Sequence, residues 1–204
     1  MFGCFGKIIK TIVLILAIIG FVAIGGMNFI LKFVKLPFGN NQENKLEKAE
    51  KIADFSKLNE EFEIISSGSI PLTCNYVYVK HGATGQKTVF TVFRKQETLT
   101  AEDFSTENAN TKIQTFIKNF KFLGFSFENY KIKNKGTLQA LEQKIPYVQF
   151  EAEVSNLPTK GVQGIIGAAK TSDKKNLIII SFNSQGKYSK IITSALLSEI
   201  QLNK

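Results

Sequence analysis

The stretch Thr11–Leu31, TIVLILAIIGFVAIGGMNFIL, contains no charged residue, and only Thr11 and Asn28 bear polar side chains. As a helix, its 21 residues rise about 31 Å, close to the roughly 30 Å hydrocarbon core of a bilayer. Thirteen of them are Ile, Leu, Val or Phe. At about −0.3 to −0.6 kcal/mol each, these favour insertion by roughly 4–8 kcal/mol, of which Asn28 and the glycines remove a part. The run therefore predicts a transmembrane anchor from Thr11 through Gly20 to Leu31, and it divides the chain. Residues 1–36 are tail and anchor, 37–44 a linker opening on the turn formers Pro37-Phe38-Gly39-Asn40-Asn41, and 45–204 a soluble domain.

A cleaved signal peptide is the competing reading, because Lys7 and Lys10 form a basic start and Ala23-Ile24-Gly25 offers small residues. Against it, the apolar stretch continues as MNFILKFV, where a secretory core would give way to polar sequence. Cys4 precedes the run rather than following it, unlike a lipoprotein cysteine. For orientation, Lys7 and Lys10 balance Lys32 and Lys35. The short basic tail with its free amino group tips the assignment to a cytoplasmic N-terminus, with the C-terminal domain outside the cytoplasm.

The formal charge of +9 includes those four flanking lysines, leaving 22 basic against 17 acidic residues after position 37, a net +5. The charges are interspersed, as in KLEKAEK and NYKIKNKG, and Arg94 is the one arginine. Base readers and phosphate clamps depend on arginine's bidentate fork. No nucleic-acid partner is expected, and a solvated basic surface near anionic headgroups is the better account. Cys4 and Cys74 would lie on opposite sides of the membrane, so no disulfide framework is expected, and Cys74 reads as a small buried hydrophobe.

In the domain, NQENKLEKAEKIADF places Leu46, Ala49, Ile52 and Ala53 at helical spacing. Strand patterns follow in EFEIIS (61–66), ending before Gly68, in IPLTCNYVYVKH (70–81) and in QKTVFTVFRK (86–95). The last two flank the hairpin loop Gly82-Ala83-Thr84-Gly85. A second helix is predicted over 108–123, with Ile113, Phe116, Ile117 and Phe120 on one face. FENYKIK and TLQALEQ then form strands around a turn at Asn134-Lys135-Gly136. PYVQFEAEV alternates Val148, Phe150, Ala152 and Val154 against Tyr147, Gln149, Glu151 and Glu153, the pattern of a half-buried strand. A closing helix carries the stripe Tyr188, Ile191, Ile192, Ala195, Leu196 and Ile200. The expected class is α+β, a predominantly antiparallel sheet covered by helices and preceded by one transmembrane helix.

GVQGIIGAAKTSDKKNLIIISF (161–182) invites a phosphate-loop reading. Lys170 follows Gly167 by three positions rather than one, the spacing is G-x-x-G-x-x-G, and no helix can follow before Leu177-Ile178-Ile179-Ile180. The stretch is a hairpin turning near Ser172-Asp173-Lys174-Lys175, its glycines marking a bulge or a close approach. His81 and Cys74, seven residues apart in an extended run, would be about 23 Å apart on opposite faces and cannot form a dyad. Glu60, Glu61 and Glu63 read as solvated residues where a strand begins rather than as metal ligands. No catalytic, cofactor or metal residue is assigned. Phe116, Phe120, Phe122, Phe125 and Phe127 exceed what one helix face can bury, and they are the candidate partner-binding patch beside the plainer reading of ordinary core.

KIADFSKLNEEFEI and NLIIISFNSQGKYSKIITSALLSEIQ resemble the PsbP/Mog1-like α/β/α domains, including bacterial proteins that join such a domain to an N-terminal transmembrane helix. The resemblance implies a binding or assembly-assisting module and transfers no site residue. The expected function is that of a single-pass membrane protein contacting lipid through its helix and a protein partner through its domain, as an accessory subunit of an envelope or membrane complex. Ala17, Gly20 and Ala23 lack G-x-x-x-G spacing and leave homo-oligomerisation open. The alternative is a membrane-tethered hydrolase or ligand-binding enzyme using converging carboxylates.

The orientation is directly testable. A cysteine introduced near Lys187 should react with a membrane-impermeant maleimide on intact cells. Labelling that requires lysis would reverse the assignment.

Overall fold

Four consecutive branched aliphatic residues, Leu177 to Ile180, can be buried on both sides only in a strand with neighbours on each edge and cover on each face. The chain supplies that position. A computed structural model describes residues 42–70, 74–94, 100–105, 127–154 and 161–203. In order, the elements are α1 (Gln42–Ala49), β1 (Phe62–Ile70), β2 (Cys74–His81), β3 (Lys87–Phe93), α2 (Ala101–Ser105), β4 (Phe127–Ala140), β5 (Gln143–Val154), β6 (Val162–Lys170), β7 (Asn176–Ser184) and α3 (Lys190–Glu199). The strands form one sheet in the order β1-β2-β3-β7-β6-β5-β4. Every pairing in it is antiparallel. It is thus two meanders, β1–β3 and β4–β7, joined where β3 meets β7 with Val89 opposite Ile180 and Phe90 opposite Ile179.

One face packs against α1, the segment after it, and α3. Its core combines Phe62, Ile64, Val77, Val79, Phe90, Ile165, Leu177 and Ile179 of the sheet with Ala49, Ile52 and Phe55, and with Leu196, Leu197 and Ile200. Phe55 meets Phe90 edge-to-face at 5.2 Å, an arrangement the ring quadrupoles favour. The opposite face buries Tyr78, Val89, Val148, Phe150, Ile166, Ile178, Ile180 and Phe182. There α2 contributes Phe104, packing against β5 and β6. Cys74 is fully buried on this sheet, and burial pushes its thiol up to about 11.

The expected helix-covered α+β architecture is overturned. Among the described residues α1 has 8 residues, α2 has 5 and α3 has 10. Ten helical residues span about 15 Å, whereas six inter-strand spacings make the sheet about 29 Å wide. The helices therefore lie on parts of a sheet that itself dominates the domain. The helix predicted from 108 to 123 and the anchor at 11–31 lie outside the described residues. Among the described residues no helix is long and apolar enough to cross a membrane.

Three local expectations also change. The first helix stops at Ala49, yet Ile52 and Ala53 remain buried because the chain tightens, Ile52 N–H bonding to Ala49 C=O at 2.8 Å. β1 runs through Gly68 to Ile70 rather than ending before it. β4 is continuous through Asn134–Gly136, and the reversal falls at Leu141-Glu142, both in the left-handed region with φ of 52° and 56°. Successive left-handed residues are what a two-residue hairpin turn requires. Packing, not turning, requires glycine at 136, because a Cβ there would lie 2.5 Å from Tyr147 Oη and exclude the ring of the paired strand. Both the loop after His81 and the turn at 171–175 fall where the sequence places them, the latter closed by Thr171 N–H to Lys175 C=O at 3.0 Å.

The stretch 161–170 is a central strand, and its glycine at 164 marks a close approach. A Cβ on Gly164 would lie 2.2 Å from the Ser181 carbonyl oxygen, a backbone atom that cannot move independently. Gly164→Ala should destabilise the domain by about 2–4 kcal/mol in urea unfolding, in the range of strained core substitutions. Lys170 is exposed, and Lys170→Ala should stay within about 0.5 kcal/mol of the parent. Equal effects of the two substitutions would refute this assignment.

Candidate functional site

The position of α3 is set by a buried polar network rather than by its own apolar stripe. Ser189, the residue preceding the helix, is extended and makes no side-chain cap. Its cap comes from Gln86, immediately before β3: Gln86 Oε1 accepts the Ser189 N–H at 2.8 Å. Gln86 Nε2 reaches Ser189 C=O at 2.9 Å, Thr193 Oγ1 at 3.0 Å and Ser181 Oγ at 3.3 Å. Ser181 Oγ is shared with Thr88 Oγ1 at 2.9 Å and Thr193 Oγ1 at 2.8 Å. Tyr188 Oη lies 3.1 Å from Thr193 Oγ1, and burial pushes the Tyr188 phenol up to about 12 although that hydrogen bond pulls it down.

This network turns Thr193 inward with Leu196 and Leu197, and it rotates Ile191 out. Ile191 is 79% exposed, the one large hydrophobe so placed among the described residues. The expected stripe of Tyr188, Ile191, Ile192, Ala195, Leu196 and Ile200 is corrected accordingly: Ala195 is also exposed, while Leu196 and Ile200 are buried. Helical spacing aligns Ile191, Ser194, Ala195 and Ser198 along the outer side.

Beside that ridge, α3 and the edge hairpin β4–β5 do not close on each other. They leave a groove of about 330 Å³ lined on one side by Gln139, Ala140, Leu141 and Glu142, and on the other by Leu197, Ser198, Ile200, Gln201 and Leu202. At the N-terminal end of α3, Lys190 Nζ donates to Tyr147 Oη at 3.5 Å and lies 5.9 Å from the ring centroid. The hairpin is fixed by Gln143, whose side chain bonds the backbone of Lys170 twice at 2.8 Å, through its amide to the carbonyl and through its carbonyl to the N–H. Both groove walls are thereby tied to the sheet.

Elsewhere the candidate chemistry is dispersed. His81 ends β2, its Nδ1 2.9 Å from Thr84 Oγ1 and its Nε2 3.7 Å from Glu61 Oε2. Cys74 lies at the other end of the same strand. Glu60, Glu61 and Glu63 are exposed. Among the described residues no group of three or more His, Cys, Asp or Glu side chains is arranged to hold a metal ion. Two buried hydroxyls lack partners among them, Thr91 Oγ1 and Tyr130 Oη. They are separated by four strand spacings, about 19 Å, and do not form one site. Of the phenylalanine patch, Phe127 begins β4 opposite Val154, while Phe116, Phe120, Phe122 and Phe125 lie outside the described residues, as do Thr11, Gly20 and Leu31. Comparison with protein-family models and with curated proteins finds no match to this chain.

If the network orients α3, Gln86→Ala should leave the Ser189 N–H without its acceptor, the Ser189 C=O without its donor, and the Ser181 and Thr193 hydroxyls each one bond short. A loss of about 2–3 kcal/mol in urea unfolding is expected, above that of a single exposed hydrogen bond. A loss below about 0.5 kcal/mol, typical of uninvolved surface sites, would remove the network from this role.

Proposed function

We propose that this chain is a single-pass membrane-anchored protein whose domain, outside the cytoplasm, binds a protein partner as an accessory or assembly subunit of a membrane complex. The observation that carries the binding role is Ile191, 79% exposed on α3, the helix that also forms one wall of the groove against β4–β5. A large exposed hydrophobe costs solvation free energy that docking recovers. The anchor rests on the uncharged 21-residue run, and the same binding role is what the PsbP/Mog1-like resemblance implies. The hairpin wall of the groove is held to the neighbouring strand by Gln143, which suits recognition by a fixed surface.

Fractionation and co-purification test both halves. The full chain should remain with carbonate-washed membranes, and a version lacking residues 1–36 should not. Purified in mild detergent, the full chain should retain a stoichiometric protein companion identifiable by mass spectrometry. A carbonate-soluble full chain refutes the anchor, and a full chain that retains no companion while converting members of a small-molecule panel refutes the binding role in favour of an enzyme.

A further inference from the structure

The two ends of the sheet differ in charge. Gln143 binds both backbone groups of Lys170, which sets the β4–β5 and β6–β7 turns side by side, and β3 runs out beside the start of β7, with Val92 opposite Leu177. That end exposes Arg94, Lys144, Lys170, Lys174 and Lys175 against two acids, Glu142 and Asp173. Asp173 is itself engaged by Lys175 and Thr171. On the adjoining helical face, where Asn203 ties Ser172 to Glu50, Lys57 offsets Asp54, and Lys45, Lys48 and Lys51 outnumber Glu47 and Glu50. At the opposite end of the sheet Lys80, Lys87, Lys187 and Lys190 are matched by Glu60, Glu61, Glu63 and Glu153, with Glu128 paired opposite Glu153. Lys131 and Lys133 flank Glu151 between the two. Among the described residues the sheet thus has a net positive end at the β4–β5 and β6–β7 turns and a balanced one beyond.

We propose that this turn end lies against anionic phospholipid headgroups, so that the strands stand upright on the bilayer that holds the anchor. This rests on the membrane-anchored reading and adds the orientation of the domain. Leu31 and Gln42 are eleven residues apart, at most about 40 Å of chain, which is long enough to let either end approach the membrane. Charge decides between them. Screening confines the headgroup attraction to about 10 Å at 0.1 M salt, whereas a nine-residue strand such as β6 is about 30 Å long, so one end is held while the other stays outside the field. The cations are spread over the ends of four neighbouring strands, β3, β7, β6 and β5, rather than gathered on one point as the donors to a single bound phosphate are. A layer of headgroups accommodates that spread. Ile191, just after the Ser189 that Gln86 caps at the balanced end, is then held away from the bilayer.

Energy transfer to a headgroup-labelled lipid tests this in the full chain, reconstituted in nanodiscs of phosphatidylcholine with or without phosphatidylglycerol. Cys4→Ser removes the tail thiol and Cys74 is buried, so a donor dye can be placed on Ser172→Cys at the turn end or on Ala83→Cys in the loop at the other, both exposed positions. With phosphatidylglycerol present, transfer from position 172 should exceed that from position 83 at least twofold. The difference should shrink at least by half in phosphatidylcholine alone and in high salt, and Lys144→Glu combined with Lys174→Glu should abolish it. Both lysines are exposed, and an unchanged thermal melt verifies folding. Equal transfer from the two positions, greater transfer from position 83, or a difference indifferent to lipid charge and to the lysine substitutions would overturn the proposal while leaving the anchor standing. So would a short DNA duplex that binds the disc-held chain through the same lysines when phosphatidylglycerol has no effect. A full chain that does not enter the discs refutes the anchor, and the orientation falls with it.

Discussion

The pairing of β3 with β7 is the contact on which the rest of the domain depends. Each meander can form from local hairpins, but a meander alone exposes both its faces and an edge of unpaired backbone groups. Joining Lys87–Val92 to Leu177–Phe182 makes both inner edges central. It also places Val89, Phe90, Leu177, Ile178, Ile179 and Ile180 where neither face meets solvent. Burial of such side chains is worth about 1.5–3 kcal/mol each, and it offsets the entropy of closing a connection across some ninety residues, which grows only slowly with length. The chain's most apolar tetrapeptide is therefore at the position that needs it most.

The same junction carries the polar network. Thr88 and Ser181 face each other across the β3–β7 pair, and with Gln86 they form the seat for α3. A helix resting on that seat must turn Thr193 inward, because a buried hydroxyl or amide without a partner costs roughly 1–3 kcal/mol. Its outward side then presents Ile191. Exposure of that residue is a consequence of satisfying Gln86, Ser181 and Thr193, and the groove lies between the C-terminal part of the helix so oriented and the β4–β5 hairpin. Fold stability and the exposure of Ile191 thus trace to one set of hydrogen bonds.

Hairpins were legible wherever glycine and polar residues coincided with an end of apolar alternation, as at Gly82–Gly85 and Ser172–Lys175. They were misplaced where glycine serves packing. Gly136 reads as a turn residue but admits the Tyr147 ring, while the true reversal uses Leu141 and Glu142, neither of which signals a left-handed conformation. The helix cover was overestimated because amphipathic periodicity in NQENKLEKAEKIADF persists beyond Ala49, where the buried residues continue in a turn. The groove had no sequence signal: its walls are ordinary Leu, Ala, Ser and Gln side chains from two distant parts of the chain. Inward-facing Thr193 was the one available hint, a polar residue within the apolar stripe of a helix.

What the sequence by itself determined is what depends on composition over short windows: an uncharged run long enough for a bilayer, strands with period-two alternation, the failure of the 161–171 glycines to make a phosphate loop, and the absence of a Cys–His dyad within one extended strand. These follow from local geometry, since rise per residue and side-chain alternation are fixed by the backbone. What only the tertiary structure decided is strand order, the rotation of α3, and with it which hydrophobe faces solvent. Those depend on hydrogen-bond partners such as Gln86 and Ser189, 103 residues apart, and no local pattern encodes a partner that distant.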